Sequence, residues 1–251
     1  MNDESTFGGK LASLSGRLRG LVEAQAKGHP EARVALARPL DPAPAAKRVD
    51  ALLGIQPAFI GGPQPRAPWA PEMGAFQGQI SGCLACALGA KRRHLVFGEG
   101  DVHAALAFVG GAPGGDEDLA GRPFIGAAGQ LLDRMVAAMG YKRDEVYLCN
   151  ALKCRPGGGE AEASHLQACR PYLLHQLDLL RPRAVVALGE TAARALLGGA
   201  APLADLRGRW AEAQGLRVMP TFHPADLLRD PGLKRHVWDD LKLVLQELTA
   251  P

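Results

Sequence analysis

Hydrophobic positions in the second half of the chain fall into short continuous runs that are separated by helical patterns. The runs are Ala105–Val109, Val146–Leu148, Ala184–Leu188 and Leu216–Thr221. Apolar residues at helical spacing predict helices at Ala127–Met139, Glu162–Leu180, Thr191–Leu197 and Arg235–Leu248. Short apolar strands that alternate with helices are typical of a parallel sheet covered on both faces. We therefore expect an α/β fold built on a parallel sheet of four strands.

The first part of the chain has a different composition. Nine of the 19 prolines lie between His29 and Glu72, among Ala, Gly and Gln. Such a segment buries too little apolar surface to fold alone. A weak helical pattern at Leu11–Ala26 and an apolar patch at Val49–Ile60 are its only organised features. We expect an N-terminal extension of low order over residues 1–72 and a folded domain over residues 73–251.

Composition narrows the function only slightly. The chain has 251 residues, of which 22% are charged and 47% are hydrophobic, and its net charge is +3. These values are ordinary for a globular protein, and the small net charge neither requires nor excludes a nucleic-acid partner. No run of about 18 apolar residues is present, so we expect no membrane span. With no signal peptide recognised, we expect a cytoplasmic protein, and we take it to be a monomer.

Four cysteines have the spacing of a metal site. Cys83 and Cys86 form a C-x2-C pair, and Cys154 and Cys169 follow after a long gap. Four thiolates suit either a structural zinc ion or a [4Fe–4S] cluster, and the spacing alone does not separate the two. The remaining cysteine, Cys149, lies in a predicted buried strand and is interpreted as a packing residue.

Three other interpretations of the quartet stay open. Disulfides are disfavoured in the reducing compartment that we expect. Isolated buried cysteines would pack as small apolar side chains. A redox C-x-x-C pair would sit between a strand and a helix of a thioredoxin-like unit, and no such unit is evident around Cys83 and Cys86. A metal site is favoured over all three.

Polar and glycine-rich segments follow three of the predicted strands. In parallel sheets, ligands bind beyond the carboxyl ends of the strands. The first strand leads into a glycine-rich turn, the second ends at Asn150, and the fourth leads to His223. The turn lets backbone approach a ligand closely, although it could equally be only a tight loop. An Asn amide can pair with a base edge, but alone it is more often a turn residue.

These segments belong to longer motifs. Gly110, Gly111, Ala112, Pro113 and Gly114 are followed by Glu117-Asp118 and by Gly121–Leu132, which reads GRPFIGAAGQLL. Asn150 precedes Lys153–Pro156, and His223-Pro224-Ala225 precedes Leu227–Arg229. With the cysteine quartet, they resemble the iron–sulfur uracil-DNA glycosylases of family 4, from about Met73 to Leu248.

The resemblance implies a three-layer α/β/α fold, a structural [4Fe–4S] cluster on the four cysteines, and hydrolysis of the N-glycosidic bond of deoxyuridine in DNA. Because the base must be flipped from the stack, a pocket must read it. Phe124 matches the residue that stacks on uracil, and Asn150 matches the amide that reads its polar edge. His223 matches the donor to the departing uracil. The turn at Gly110–Gly114 would help to place the attacking water.

The resemblance also implies DNA contacts. Leu227, Leu228 and Arg229 would lie near the minor groove, where a leucine could enter the gap left by the base. The basic run that contains Arg92 and Arg93, together with Lys91, gives candidate phosphate contacts or simply a solvated surface.

One position departs from the family pattern. The family usually has an acid as the second residue of its first motif, and this chain has Gly111 there. Glu117 matches the later acid of the motif and is our candidate catalytic carboxylate, with Asp116 and Asp118 beside it. The basic, histidine-bearing insertion of a related group that traps uracil-DNA covalently is missing between Cys154 and Cys169, which favours simple turnover. A non-catalytic DNA-binding protein, a glycosylase with an altered base range and an electron-transfer protein remain as alternatives.

Overall fold

The computed structural model describes residues 70–157, 161–199 and 201–249. The predicted extension lies outside these residues, except for its last three positions, which begin helix α1 (Ala70–Ile80). The predictions for Leu11–Ala26 and Val49–Ile60 therefore also lie outside the described part of the chain.

A single sheet forms the centre of the described structure. Its strands are β1 (Glu99–Gly100), β2 (Leu106–Gly110), β3 (Tyr147–Asn150), β4 (Ala184–Leu188), β5 (Ala211–Ala213) and β6 (Leu216–Thr221). They lie in the order β1-β3-β2-β4-β6-β5. The inner strands β3, β2, β4 and β6 pair in parallel, whereas β1 and β5 add to the edges in antiparallel orientation.

The prediction of four strands was therefore incomplete, because the sheet is mixed and has six strands within the described residues. Both edge strands are short and partly exposed, so neither carries the apolar run by which a buried strand is recognised. Strand β5 forms a hairpin with β6 through Gln214 and Gly215, whose φ angles are 51° and 74°. Two positive φ angles are the requirement of the type I′ turn, whose twist matches that of paired strands.

Helices cover both faces of the sheet. After α1 they are α2 (Gly115–Ala120), α3 (Ala127–Ala138), α4 (Ala163–Leu180), α5 (Glu190–Leu197), α6 (Leu203–Leu206), α7 (Pro224–Arg229) and α8 (Lys234–Thr249). Apolar residues of α1, α4 and α5 pack on one face, and those of α3, α7 and α8 pack on the other. Side chains alternate along each strand, so that Ala107 and Val109 enter the first core and Leu106 and Phe108 the second. The arrangement is a three-layer α/β/α fold.

The register brings the predicted functional segments to one edge of the sheet. Gly110 at the end of β2 pairs with Asn150 at the end of β3. Leu188 at the end of β4 pairs with Thr221 at the end of β6, two residues before His223. Because these four strands are parallel, the loops that follow them meet at the same end of the sheet.

Candidate active site and cysteine cavity

Gly110, Asn150 and Phe124 are in direct contact at the carboxyl ends of the strands. A Cβ atom on Gly110 would lie 2.3 Å from Asn150 Oδ1 and 2.6 Å from Phe124 Cζ. Glycine is therefore required at this position, since any side chain would displace the amide and the ring. Asn150 and Phe124 are buried, with 2% and 3% of their surfaces exposed.

His223 completes this group from the other side. Its ring stacks against that of Phe124, with the ring centroids 6.1 Å apart and the planes 27° from parallel. We call these four residues, Gly110, Phe124, Asn150 and His223, the base pocket, after the role that the sequence analysis predicts for them. The sequence prediction placed all four near each other, and the structure brings them together.

The protonation of His223 follows from its position at the start of helix α7. Its Nδ1 atom accepts a hydrogen bond from the backbone N–H of Ala225 at 3.1 Å. In the neutral ring the proton must then sit on Nε2. Burial lowers the pKa of His223, and the nearby Arg229 lowers it further, whereas Asp226 raises it. The net shift favours the neutral ring, whose Nε2–H group can donate.

The glycine-rich turn follows β2 and is fixed to the segment after β3. Backbone N–H groups of Ala151 and Leu152 donate to the carbonyl oxygens of Gly110 and Gly111 at 2.8 and 3.0 Å. A Cβ atom on Gly111 would lie 3.0 Å from Thr191 Cβ. The position that usually carries an acid in the family is thus crowded by a neighbouring side chain here.

The three acids after the turn have different surroundings. The Glu117 carboxylate accepts a hydrogen bond from the Gly114 N–H and so caps the first turn of α2. Asp118 is buried, and its Oδ1 atom accepts from the backbone N–H of Arg93 at 3.0 Å. Asp116 is exposed. Glu117 is half-buried, and its hydrogen bond to Gly114 holds its carboxylate against the turn.

The four cysteines of the predicted metal site line one pocket on the α1 and α4 side of the sheet. Cys83, Cys86, Cys154 and Cys169 surround it together with Ile80, Leu95, Lys153 and Tyr172. Among the described residues, no three His, Cys, Asp or Glu side chains are gathered closely enough to hold a single metal ion. The thiols are thus arranged around a cavity rather than around one point. Cys149 is not among them and is fully buried in β3.

Hydrogen-bond donors surround the sulfur atoms. The backbone N–H of Ala85 donates to Cys83 Sγ at 3.4 Å, and that of Lys153 donates to Cys169 Sγ at 3.3 Å. Arg92 Nη1 lies 3.6 Å from Cys154 Sγ. Burial nevertheless raises the pKa of Cys154 and raises that of Cys169 to about 11. A bound cation would be needed to keep these buried thiols as thiolates at neutral pH.

Arg92 belongs to this cysteine cavity. In addition to Cys154, its guanidinium group donates to the carbonyl oxygens of Cys83 at 2.6 Å and Ser81 at 2.7 Å. Arg93 and Lys91 are exposed. Of the three basic residues predicted to contact phosphates, Arg92 instead binds the backbone of the loop that carries Cys83. The side chains of Lys91 and Arg93 face solvent.

The two leucines of helix α7 point in opposite directions. Leu227 is 2% exposed and packs in the core, whereas Leu228 is 46% exposed. The predicted DNA contact of Leu227 stays a prediction, and the burial of this side chain argues against it. Arg229 is exposed and forms an ion pair with Asp226. Leu228 and Arg229 are the two residues of this motif that are available to a partner.

Sequence reasoning missed a buried lysine between the base pocket and the cysteine cavity. Lys153 is 1% exposed, and its Nζ atom donates to the carbonyl oxygens of Asn150 at 2.9 Å and Phe97 at 3.1 Å, and to Gln176 Oε1 at 2.5 Å. Three acceptors satisfy the three N–H bonds of the ammonium group. Lys153 thereby connects the backbone of Asn150 to Phe97 and to Gln176 of helix α4, and it directly precedes Cys154 in the chain. A lysine next to a cysteine in the sequence gave no sign of this position.

Arg155 was also missed as a candidate contact. Its side chain is exposed, and its guanidinium carbon would lie 3.5 Å from a Cβ atom on Gly115. The charge is therefore close to the glycine-rich turn.

Comparison with known proteins agrees with this geometry. Residues 97–242, more than half of the chain, match the model of the Uracil DNA glycosylase superfamily. The chain belongs to this superfamily. The glycosylase is 39% identical over 173 residues to the type-4 uracil-DNA glycosylase of Pyrobaculum aerophilum, a match that covers 65% of this chain and 88% of the relative.

Two further relatives extend the comparison. The type-4 uracil-DNA glycosylase of Thermotoga maritima is 39% identical over 171 residues, with 65% of this glycosylase and 88% of the relative covered. A type-5 uracil-DNA glycosylase from Pyrobaculum aerophilum is 37% identical over 152 residues, which cover 53% of this glycosylase and 66% of the relative.

No helix of the described residues is long and apolar enough to cross a membrane.

Proposed function

We propose that the chain is a DNA repair glycosylase that hydrolyses the N-glycosidic bond of deoxyuridine in DNA, releases uracil and leaves an abasic site. The observation that carries this proposal is the base pocket. An aromatic ring, a buried amide, a neutral histidine and a glycine-rich turn meet at the carboxyl ends of parallel strands. The names of the type-4 relatives support the same activity.

Base recognition is assigned to Phe124 and Asn150. The Phe124 ring would stack on a flipped base, and aromatic stacking is worth about 1–3 kcal/mol per base. The Asn150 amide presents a donor and an acceptor, which together can pair with the polar edge of uracil. Lys153 Nζ binds the Asn150 carbonyl oxygen, so the backbone of this residue is fixed from behind. A fixed amide discriminates uracil from cytosine, because cytosine presents a different donor and acceptor pattern.

Leaving-group stabilisation is assigned to His223. When the glycosidic bond breaks, negative charge develops on the departing uracil. The Ala225 N–H group occupies Nδ1 of His223, which leaves the Nε2–H group to donate to that charge. A donor held in place before the reaction begins costs no reorganisation during it.

Water attack is assigned to the turn at Gly110–Gly114 and to Glu117. Glycosidic cleavage passes through an oxocarbenium-like state. A weak nucleophile is sufficient when bond breaking runs ahead of attack. Glu117 would supply the negative charge near the sugar that Gly111 does not supply. Its bond to the Gly114 N–H supports this role, because it holds the carboxylate beside the turn.

The cysteine cavity is assigned to a [4Fe–4S] cluster. Cys83, Cys86, Cys154 and Cys169 would hold it, and the arrangement of four thiols around a cavity supports this choice. A polynuclear cluster holds its thiolates farther apart than a single zinc ion does. When bound, the cluster would supply cross-linking between distant segments, because its ligands come from the loop after α1, the loop after β3 and helix α4.

DNA contacts are assigned to the exposed side chains around the pocket. Leu228 and Arg229 lie on helix α7, directly after His223. Arg93 and Arg155 add positive charge on the side of the glycine-rich turn. Contacts of this kind position the DNA backbone, whereas the base pocket supplies the selection.

A cleavage assay on a short duplex with one uracil tests the proposal. Alkali treatment after incubation should break the uracil strand at that position, and a duplex with cytosine in its place should stay intact. Asn150→Ala should lose activity on uracil. An uncleaved uracil duplex that is still bound by the protein would favour the non-catalytic alternative, and full activity of Asn150→Ala would overturn the assignment of the pocket.

A further inference from the structure

The backbone of Phe124 has an unusual conformation. Its φ angle is 53°, and among the described residues only Arg181 and Gln214 share a positive φ without being glycine. A bulky residue rarely adopts the left-handed region, because its Cβ approaches the backbone. Such a conformation persists only when the surrounding structure holds it in place.

Gly129 leaves room for this backbone conformation, and Arg143 binds it. A Cβ atom on Gly129 would lie 1.8 Å from the carbonyl oxygen of Phe124, so only glycine fits there. Arg143 donates through Nη1 to the same carbonyl oxygen at 3.1 Å and through Nη2 to that of Pro123 at 2.7 Å. The guanidinium group therefore binds two consecutive backbone carbonyl groups, that of Phe124 and that of the residue before it.

Arg143 is itself fixed from two sides. Its Nε and Nη2 atoms contact Glu99 Oε1 at 2.9 and 2.6 Å, and its Nη1 atom contacts Asp133 Oδ1 at 2.5 Å. Arg122 binds the second oxygen of Glu99 at 2.9 Å. Burial alone would raise the pKa of Glu99, but the hydrogen bonds from Arg122 and Arg143 hold it below its ordinary value. Glu99 is thus an ionised anchor at neutral pH.

These contacts connect the ring to the sheet. Glu99 belongs to the edge strand β1, which pairs with β3 through Leu148. Arg143 lies in the 3-10 turn Arg143–Glu145, just before β3 begins. The strand that ends at Asn150 is therefore joined through Arg143 to the backbone of Phe124. This connection fixes the position of the Phe124 ring relative to the Asn150 amide.

We infer that Arg143 is a positioning residue that acts through Phe124, holding the aromatic ring at the depth at which it stacks on the flipped base. The inference rests on the proposed role of Phe124. Loss of the guanidinium group would let the strained backbone relax and move the ring. Small displacements of a positioning group lower rates strongly, because the reacting atoms no longer start in the productive geometry.

A double-mutant cycle on single-turnover cleavage of uracil-DNA tests this inference. Arg143→Gln and Phe124→Leu should each lower the cleavage rate at saturating enzyme by about tenfold or more. If Arg143 acts through the ring, adding Arg143→Gln to Phe124→Leu should cost less than about threefold further. Rate losses that multiply in the double variant would overturn the inference.

Matched variants separate positioning from general stability. Arg217→Gln also removes an arginine ion pair, with Glu247 at 3.0 Å, but lies away from the base pocket, and its rate should be unchanged. If Arg143→Gln does not fold, Glu99→Gln replaces it in the cycle. Glu99→Gln removes the carboxylate that fixes Arg143 but keeps both bonds from Arg143 to the carbonyl oxygens. We therefore expect a smaller loss of cleavage rate, and little further loss when Glu99→Gln is added to Phe124→Leu. If Phe124→Leu cleaves at the full rate, both the role of the ring and the inference are overturned. The glycosylase proposal would still stand in that case, because it depends only on cleavage of uracil-DNA by the wild-type protein.

Discussion

At the scale of single residues, the proposed mechanism depends on the protonation state of His223, which would donate to the departing uracil. The ring accepts from Ala225 through Nδ1, and burial lowers its pKa. Protonation at Nδ1 would break that bond and add a charge inside the pocket. Because the folded pKa lies below the ordinary value of about 6.5, the neutral ring persists to lower pH than in an exposed histidine.

The first prediction concerns this histidine and pH. The single-turnover rate should decline as the pH falls, and the midpoint of this decline should lie below the ordinary histidine pKa of about 6.5. His223→Ala should lose about 10²–10³ in rate while still binding DNA. Arg229→Gln removes a charge that lowers the pKa, so its acid decline should shift to higher pH. A wild-type acid decline with its midpoint above pH 6.5 would contradict this account.

The second prediction concerns the carboxylate near the turn. In Glu117→Gln the side-chain oxygen can still accept from the Gly114 N–H, so the helix cap is retained and only the charge is removed. We expect a rate loss of about tenfold or more, because negative charge near the sugar stabilises the oxocarbenium-like state. Asp116→Asn, at an exposed neighbour, is the control and should lose less. An unchanged cleavage rate in Glu117→Gln would contradict the role of this carboxylate and would leave attack by a water molecule held by the backbone of the turn.

Individual residues were predictable from sequence where chain direction alone places them. Asn150 and His223 follow strands, and strands that are parallel deliver their ends to the same place. The contribution of Arg143 to Phe124 was not predictable. The two residues are 19 positions apart, and their contact depends on the left-handed backbone conformation of Phe124, which no local sequence pattern predicts. Lys153 was missed for the same reason, because burial of its ammonium group depends on acceptors from distant segments.

At the scale of elements, buried strands and long helices could be predicted and the edges of the sheet could not. The inner strands are apolar runs because helices cover both of their faces. Strand β1 has two residues and β5 has three, so neither has room for a hydrophobic period. Helix α2 reads Gly-Asp-Glu-Asp-Leu-Ala and also lacks an apolar stripe. Such elements are defined by their partners and leave little trace in the sequence.

The third prediction uses the two faces of helix α7. Leu227→Ala should destabilise the fold by about 2–5 kcal/mol, because it leaves a cavity in the core. Leu228→Ala should leave the melting temperature nearly unchanged, because this side chain is exposed. It should instead weaken cleavage of double-stranded uracil-DNA more than that of single strands, where no gap needs to be filled. Equal losses on both substrates would argue against a wedge at Leu228.

At the scale of the whole molecule, the cysteine cavity and the base pocket are joined through one strand. Asn150 ends β3, and Cys154 follows four positions later. Between them, Lys153 binds the Asn150 carbonyl oxygen with its side chain and the Cys169 sulfur with its backbone N–H. A metal centre at the cavity would thus support the pocket without taking part in the reaction.

The fourth prediction follows from this connection. Cys154→Ala should lose iron, sulfide and the visible absorption of the purified protein, and should lower its melting temperature, because the cluster would link three segments that are distant in sequence. Cys149→Ala is the matched control, since this thiol is fully buried in the preceding strand β3 but does not line the cavity. It should keep its iron and cost only about 0.5–3 kcal/mol. Anaerobically purified wild-type protein that is colourless and holds one zinc ion would contradict the cluster, and equal iron in both variants would exclude Cys154 as a ligand.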